Sequence, residues 1–173
     1  MTEYRIGVGG LAADSAPDPI TALFIEQNND RAATVDVSGN GRVPTPALRW
    51  DDRLAQVARD RVADMIARRY FSHQDPQTGA YLYTATLAAY GLTQYAWAGE
   101  NLSMASMHTG VNPGALADEL FDASPTHYAN ILTSDFDACG IGHAVTPAGF
   151  ITADGHDWSN VDLFCVIFTG GLA

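Results

Sequence analysis

The chain has 173 residues, 47% of them hydrophobic and 17% charged, which excludes intrinsic disorder and provides enough apolar surface for one folded domain with a core of its own. A formal charge of -11 and an isoelectric point near 4.5 oppose binding to nucleic-acid phosphates or anionic lipid headgroups. No run reaches the length of about 18 apolar residues that a membrane span needs, and two cysteines cannot build a disulfide framework.

Residues 1–17 mix glycine, alanine and short polar side chains and read as an N-terminal extension, dispensable for the fold. Within them, Tyr4-Arg5-Ile6-Gly7-Val8 is a run able to pair at a sheet edge, and the start lacks the basic and apolar regions of a secretory signal. The sequence as it stands therefore reads as soluble, with a leader already removed or with the chain carried as part of a larger particle. Residues 18–173 carry the pattern of a single domain. Asp18 is an N-cap type, Pro19 suits a first helical turn, and Ile20, Leu23, Phe24 and Gln27 recur at helical spacing, predicting a helix to about Ala33. Two prolines and Ser38-Gly39-Asn40-Gly41 predict a loop over 34–46.

The strongest helical signal lies over 51–69. Leu54, Val57, Ala58, Val62, Met65 and Ile66 share one face, while Arg53, Gln56, Arg59, Asp60, Asp64 and Arg68 fall elsewhere. Charges matched to the helix dipole at each end contribute only about 0.3–1 kcal/mol apiece, so burial of the stripe must supply most of the stability. Tyr70-Phe71-Ser72 then delivers His73. A turn at 75–79 leads to a helix over 80–90, stopped by Gly91, and the stretch Gly99-Glu100-Asn101 reads as a loop. Further helices are predicted over 115–123 and from Ser124-Pro125, the latter carrying His127 and Asn130.

After Thr133 the period changes to two. Cys139, Ile141, His143 and Val145 alternate with Gly140, Gly142 and Ala144; a second strand is predicted over 148–152; and 161–169 is an apolar run suited to the centre of a sheet. Asp154-Gly155 supports antiparallel pairing. Helices followed by strands predict an α+β fold, a three-layer α/β/α sandwich around a central, mainly antiparallel sheet. Cys139 and Cys165 are expected on neighbouring strands, packed as free thiols rather than bridged.

Chemistry-bearing residues gather in a few places. His73, Glu100 and His127 offer two imidazoles and a carboxylate, a ligand set that suits Zn²⁺ with solvent completing a tetrahedral site, or else a hydrogen-bonded brace of a cleft. Glu100 has a second reading as a buried carboxylate that pins a loop. Ser72, Ser103 and Ser124 stand near the histidines in sequence, but Gly-x-Ser-x-Gly is absent, as is the His-Glu-x-x-His helix of zinc hydrolases. Asp154, Asp157, Asn160 and Asp162 crowd one hairpin and read as a Ca²⁺ site or as a solvated turn; the EF-hand spacing is missing. Tyr81, Tyr83, Tyr90, Tyr95 and Trp97 read as a groove for a lipid or peptide or as packing.

Six short motifs in order give these residues a context: Asn28-x-x-Arg31, Leu48-x-Trp50-x-x-x-Leu54-x-x-x-Ala58, Ser72-His73, Gly99-Glu100-Asn101-Leu102, Ser124-Pro125-x-His127-x-x-Asn130-Ile131-Leu132 and Gly140-Ile141-Gly142. In this series residues 20–168 resemble the bacterial branch of the CAP superfamily, which joins cysteine-rich secretory proteins, antigen 5 and pathogenesis-related 1 proteins. The resemblance implies an α/β/α sandwich, a CAP domain over 18–173 and a central cleft of two histidines and two acidic residues that holds a divalent metal in several members. His73, Glu100 and His127 match three of those four positions. At the fourth, Ser124 stands three residues after Phe121 where many members have a glutamate, and Glu119 is the nearest acidic substitute. The resemblance further implies an extracellular or surface-displayed, non-catalytic protein whose cleft binds a divalent metal such as zinc, a small or lipid ligand, or a protein partner. The alternatives are a structural or adhesive module of a virion or cell-surface assembly and a secreted metal-dependent or serine-type hydrolase.

Overall fold

The computed structural model describes residues 17–106, 110–146, 150–152, 155, 157–158 and 160–171. Its organising strand is β6 (Val161–Gly170), every residue of which is buried. A strand covered on both faces needs apolar side chains at odd and even positions alike, and Leu163-Phe164-Cys165-Val166-Ile167-Phe168 meets that need. β2 (Trp97–Ser106) and β3 (Ala138–Val145) flank it, both antiparallel, and the two-residue β1 (Arg49–Trp50) runs parallel to β3, giving the order β1-β3-β6-β2.

The period of two along β6 divides the interior. Leu163, Cys165 and Ile167 face α2 (Asp52–Arg68) and α3 (Leu82–Ala89), packing with Leu54, Val57, Val62, Met65 and Leu87. Phe164, Val166 and Phe168 face the other layer: α1 (Pro19–Ala32), α4 (Pro113–Asp122) and α5 (Pro125–Leu132), through Leu23, Ala117, Phe121 and Ile131. The three-layer α/β/α sandwich expected from the sequence is thus the observed architecture. Cys139 and Cys165 are free, buried thiols on the neighbouring strands β3 and β6, one in each core layer.

Local signals set most helix ends. The Asp18 carboxylate accepts from the backbone of Ile20 and Thr21, Asp51 from Arg53 and Leu54, and Asn112 from Gly114. At the far end of α2, Arg69 takes a left-handed conformation (φ 58°). Between layers, Arg31 is buried and donates to the carbonyls of Pro46, Ile131, Thr133 and Phe136 at 2.6–3.0 Å, tying α1 to the loop after it, to α5 and to the entry of β3. Asn28 holds the Leu48 backbone on both sides. The Asn28-x-x-Arg31 motif is therefore a structural clasp.

Two expectations are corrected, and one short strand was not foreseen. The stretch around Glu100 is a ten-residue strand, not a loop: Gly99, Asn101 and Ser103 have little intrinsic strand preference, and the unbroken register with β6 from Trp97↔Gly170 to Ser106↔Val161 overrides it. Of the strand predicted over 148–152, residues 148 and 149 lie outside the described residues, and Phe150–Ile151 form β4, which pairs with β5 (Asp157–Trp158) in a separate two-stranded sheet rather than joining the main one. β1 carried no strand signal because it is only two residues long. The expectations for residues 1–16, including the run at Tyr4–Val8, and for residue 154 lie outside the described residues.

The glycines of Gly140-Ile141-Gly142 set the distance between α2 and the sheet. A Cβ at Gly140 would sit 2.0 Å from the backbone nitrogen of Ala55, and one at Gly142 would sit 2.4 Å from the carbonyl carbon of Ala58. Both contacts are with backbone, so relief requires moving the helix. Gly140→Ala should cost about 2 kcal/mol or more, seen as a fall of about 4 °C or more in the melting temperature. An unchanged melt would mean that α2 is not held against β3 by this contact.

Candidate functional site

Among the described residues strand β2 is an edge of the sheet, paired with β6, and its alternation divides the work between two consecutive side chains. Glu100 turns towards the α2 layer. Its Oε1 accepts from Arg61 Nε at 2.8 Å and lies 3.5 Å from the Cys165 thiol, while its Oε2 lies 2.8 Å from His73 Nδ1. Asn101 turns towards α5, where its Nδ2 donates to the His127 carbonyl at 3.0 Å and its Oδ1 accepts from Asn130 Nδ2 at 2.8 Å. Gly99 leaves the room that the Phe136 ring fills; an added Cβ would fall 2.8 Å from Phe136 Cζ.

His73 is held through its backbone as well as its ring. Arg61 Nη2 donates to the Ser72 carbonyl at 2.9 Å, and the Leu82 backbone N–H donates to the His73 carbonyl at 3.1 Å. Arg61 Nη1 also donates to the Tyr70 hydroxyl at 2.7 Å, and that hydroxyl donates to Asp64. Arg68 links Asp64 to Asp75, whose carboxyl is held down at about 2 by Arg68 and by the backbone N–H groups of Gln77 and Thr78. The segment from Tyr70 to Asp75 is thus fastened at both ends, and His73 projects from its middle.

The second imidazole arrives on α5. The His127 ring packs edge-on against Phe121 at 5.4 Å and stands 6.3 Å from the His73 ring, centroid to centroid. Burial, and then the neighbouring His73, lower its pKa and favour the neutral ring. Neither ring nitrogen of His127 has a hydrogen-bond partner among the described residues. His73 keeps a side-chain exposure of 38%, whereas the Glu100 and Arg61 side chains are at 0% and 1%. The result is a cleft wall with two accessible imidazoles and a buried ion pair behind one of them.

Arg61 is the site residue that sequence reasoning missed. The signal was there: it lies three residues after Ala58 and four before Met65, so a cation stands on the apolar stripe of α2. Burial works against its charge, but Glu100 and Tyr70 more than offset that and raise its pKa. A buried arginine needs acceptors for its N–H groups, and for Arg61 β2 supplies a buried acid.

Glu119 is not brought to this cleft. It is exposed on α4 and is a charged neighbour of Asp118 and Asp122. None of the three serines is hydrogen-bonded to an imidazole: the Ser72 hydroxyl accepts from the Gln74 backbone, Ser124 contacts Thr126, and Ser103 is buried without a partner. In the acidic hairpin, Asp162 lies 2.7 Å from His143 Nε2, Asp157 is exposed and Asn160 has a positive φ. Among the aromatics, Tyr83 and Tyr95 pack on the core, whereas Tyr81, Tyr90 and Trp97 are exposed, the Tyr90 hydroxyl donating to Asp60. A cavity of about 820 Å³ adjoins the segment that carries His73, lined by Tyr70, Phe71, Ser72, Gln74, Met104 and Trp158 among others; Ser72 and Gln74 face it, and His73 does not.

The fold and these residues define a class, and comparison with known proteins names it. The chain belongs to the cysteine-rich secretory protein family, whose model matches residues 26–160. A search among curated proteins finds no match. Among solved structures, an extracellular SCP-domain protein of Bacillus anthracis aligns with a TM-score of 0.60 and 24% identity over 88% of this chain, which spans 40% of the length of that protein. An outer surface protein of Borrelia burgdorferi aligns with a TM-score of 0.60 and 20% identity over 88% of this chain and 92% of its own. Venom allergen-like protein 4 of Schistosoma mansoni aligns at 0.54 and 12% identity, over 90% of this chain and 91% of its own. At such identities the likeness is one of fold.

The ion pair between Arg61 and Glu100 is open to a direct test. Glu100→Gln removes the buried counterion of Arg61 and leaves only the partly exposed Asp64, 3.7 Å from Nη1; breaking a buried pair typically costs about 3–5 kcal/mol, which here corresponds to a drop of about 6 °C or more in the melting temperature. In a double-mutant cycle with Arg61→Met, denaturant unfolding should give a coupling above about 1.5 kcal/mol. Strictly additive losses would show that the two side chains do not depend on each other.

Proposed function

We propose that this chain is a non-catalytic binding protein, extracellular or surface-displayed, whose cleft takes a divalent ion of the zinc class through the imidazoles of His73 and His127. A small or lipid ligand or a protein partner would occupy the remaining coordination positions. The observation that carries this reading is the contact between His73 Nδ1 and Glu100 Oε2, backed by Arg61. A carboxylate at Nδ1 sets the tautomer and leaves Nε2 as the donor, the arrangement commonly found behind metal-ligating histidines. The donor set fits such an ion on that ground, together with a second imidazole held neutral by burial and by His73. In this reading Glu100 stands behind His73 rather than on the ion, because its two oxygens are engaged by Arg61 and His73.

Bound there, a zinc-class ion would offer a Lewis-acidic anchor to an oxygen or nitrogen donor of the ligand. Location outside the cell is supported by two similar structures, one an extracellular protein and one an outer surface protein. The absence of contact between either imidazole and Ser72, Ser103 or Ser124 favours binding over a serine-type hydrolase. No helix among the described residues is long and apolar enough to cross a membrane.

Calorimetric titration with ZnCl₂ tests the reading. At pH 7.5 the wild type should bind one equivalent, the His73→Ala, His127→Ala double variant should lose at least tenfold in affinity, and the wild type should weaken at pH 5.5 because protons compete with the ion for the imidazole nitrogens. Equal binding by wild type and double variant would place any zinc elsewhere. No binding at pH 7.5 would leave the two rings as a brace of the cleft.

A further inference from the structure

On the far side of the sheet from Arg61 and Glu100, helices α1 and α4 press a second set of polar groups together, and nothing in the cleft chemistry uses it. Pro19, Leu23, Gln27 and Asp30 recur at intervals of four, four and three along α1; Gly114, Asp118 and Asp122 recur at intervals of four along α4. The two stripes face each other. A Cβ at Gly114 would sit 2.0 Å from the Pro19 carbonyl oxygen and 2.9 Å from the Leu23 nitrogen, so the helices touch at their first turns and run side by side from there. Gln27 lies on the same stripe of α1 between Leu23, which Gly114 approaches, and Asp30, which meets Asp122 at the following turn of α4. Carboxylate oxygens of Asp30, Asp118 and Asp122 all lie within 4.8 Å of one another.

Three acids at a helix interface do not by themselves make a site. Gln27 supplies the independent observation: it is 0% exposed, lies one turn before Asp30 on the stripe of α1 that packs against α4, and neither atom of its carboxamide has a hydrogen-bond partner. Six buried side-chain nitrogen and oxygen atoms among the described residues lack a partner, and five of them are here: both carboxamide atoms of Gln27, Asp30 Oδ2, Asp118 Oδ1 and Asp122 Oδ1. Orphaned buried polar atoms are costly and rare in folded proteins, and their concentration at one point marks a missing partner.

We infer that Asp30, Asp118 and Asp122, with the Gln27 carboxamide oxygen, form a binding site for a hard divalent cation of the calcium class between α1 and α4. The donors are all oxygens, three of them charged, which suits calcium over the softer, nitrogen-seeking ions expected at imidazoles. Asp118 is buried at the inner end, while Asp30 and Asp122 are only half-buried, so an ion can enter from solvent between them. The surrounding charges are Glu26 and Glu119, which add to the negative field, and Arg42, which interacts with Asp30 but directs its hydrogen bonds to the carbonyls of Asp30, Arg31 and Ala33 and to Thr45. Tyr128 borders the same acids. Without a cation, burial and mutual repulsion push Asp118 up to about 8 and Asp30 to about 7, as expected for carboxylates lacking a counterion. An ion held here would join α1 to α4, and through α4 would steady Phe121 against His127.

The test is a titration of the full chain with CaCl₂ at pH 7.5 in chelator-treated buffer, read by melting temperature and by calorimetry. The wild type should bind one equivalent and gain about 5 °C or more at a hundredfold excess over Kd. Asp118→Asn should lose at least tenfold in calcium affinity while melting no lower than the wild type without calcium, since without the ion Asp118 is held largely protonated at this pH and the amide is a neutral side chain of the same shape. Gln27→Leu should also weaken calcium binding, and the His73→Ala, His127→Ala variant should retain it, which separates this site from the zinc reading. No saturable response of the wild type to CaCl₂ would overturn the inference and leave the acids sharing protons. Wild-type calcium affinity in both Asp118→Asn and Gln27→Leu would overturn it equally.

Discussion

The cleft depends on one buried ion pair. Arg61 and Glu100 are each withdrawn from water, and taking either charge out of solvent alone would be prohibitive; together, with Tyr70, the Ser72 carbonyl and His73 filling the remaining hydrogen-bonding positions, they are tolerated. The pair does more than neutralise itself. Arg61 belongs to α2 and Glu100 to the edge strand β2, and their fixed separation sets where the backbone at Ser72 and the ring at His73 must lie. The geometry of an exposed imidazole is thus determined by two side chains that no ligand can reach.

Most of the architecture was legible because it rests on periodicity. Leu54, Val57, Ala58, Val62 and Met65 announce one face of α2, and the apolar run at 161–169 announces a strand covered on both sides. Asp18-Pro19 and Ser124-Pro125 mark the starts of α1 and α5. What was not legible rests on tertiary pairing. Nothing in Gly99-Glu100-Asn101-Leu102-Ser103 signals a strand, since two of the five are small and two are polar in ways that favour turns. Their conformation is dictated by β6, which offers an unpaired edge along ten residues. The short β4–β5 hairpin errs in the other direction: its turn residues predict antiparallel pairing, which occurs, but they cannot say which sheet receives it.

The site was legible in its outline and not in its division of labour. His73, Glu100 and His127 are visible as separate polar punctuation before or within apolar stretches, and the motif order places them in one cleft. Reading Glu100 as an equal partner of the two histidines overlooks Arg61, because a lone arginine on an amphipathic helix is usually counted with the polar face. Only its phase, in line with Ala58 and Met65, shows that it points inward. Conversely, Glu119 looks like a substitute for a missing acid when only sequence distance is considered, yet α4 turns its buried face, with Ala117, Asp118 and Phe121, towards α1 and the sheet and leaves Glu119 outside.

The same rule governs both polar clusters inside this protein and gives them different outcomes. A buried carboxylate needs a positive partner or a proton. The chain has nine basic residues against twenty acidic ones, and all nine are arginines. Two of these are fully buried: Arg61 answers Glu100, while Arg31 is committed to four backbone carbonyls. Arg42, the nearest guanidinium to Asp30, likewise turns its donors to carbonyls at the end of α1. Among the described residues no arginine enters between α1 and α4, where Asp118 Oδ1 and the Gln27 carboxamide stand unmatched. An acidic chain that places its few cations so selectively leaves one cluster to be completed from solution, and three carboxylates with a carboxamide have the chemistry of a hard cation's ligands.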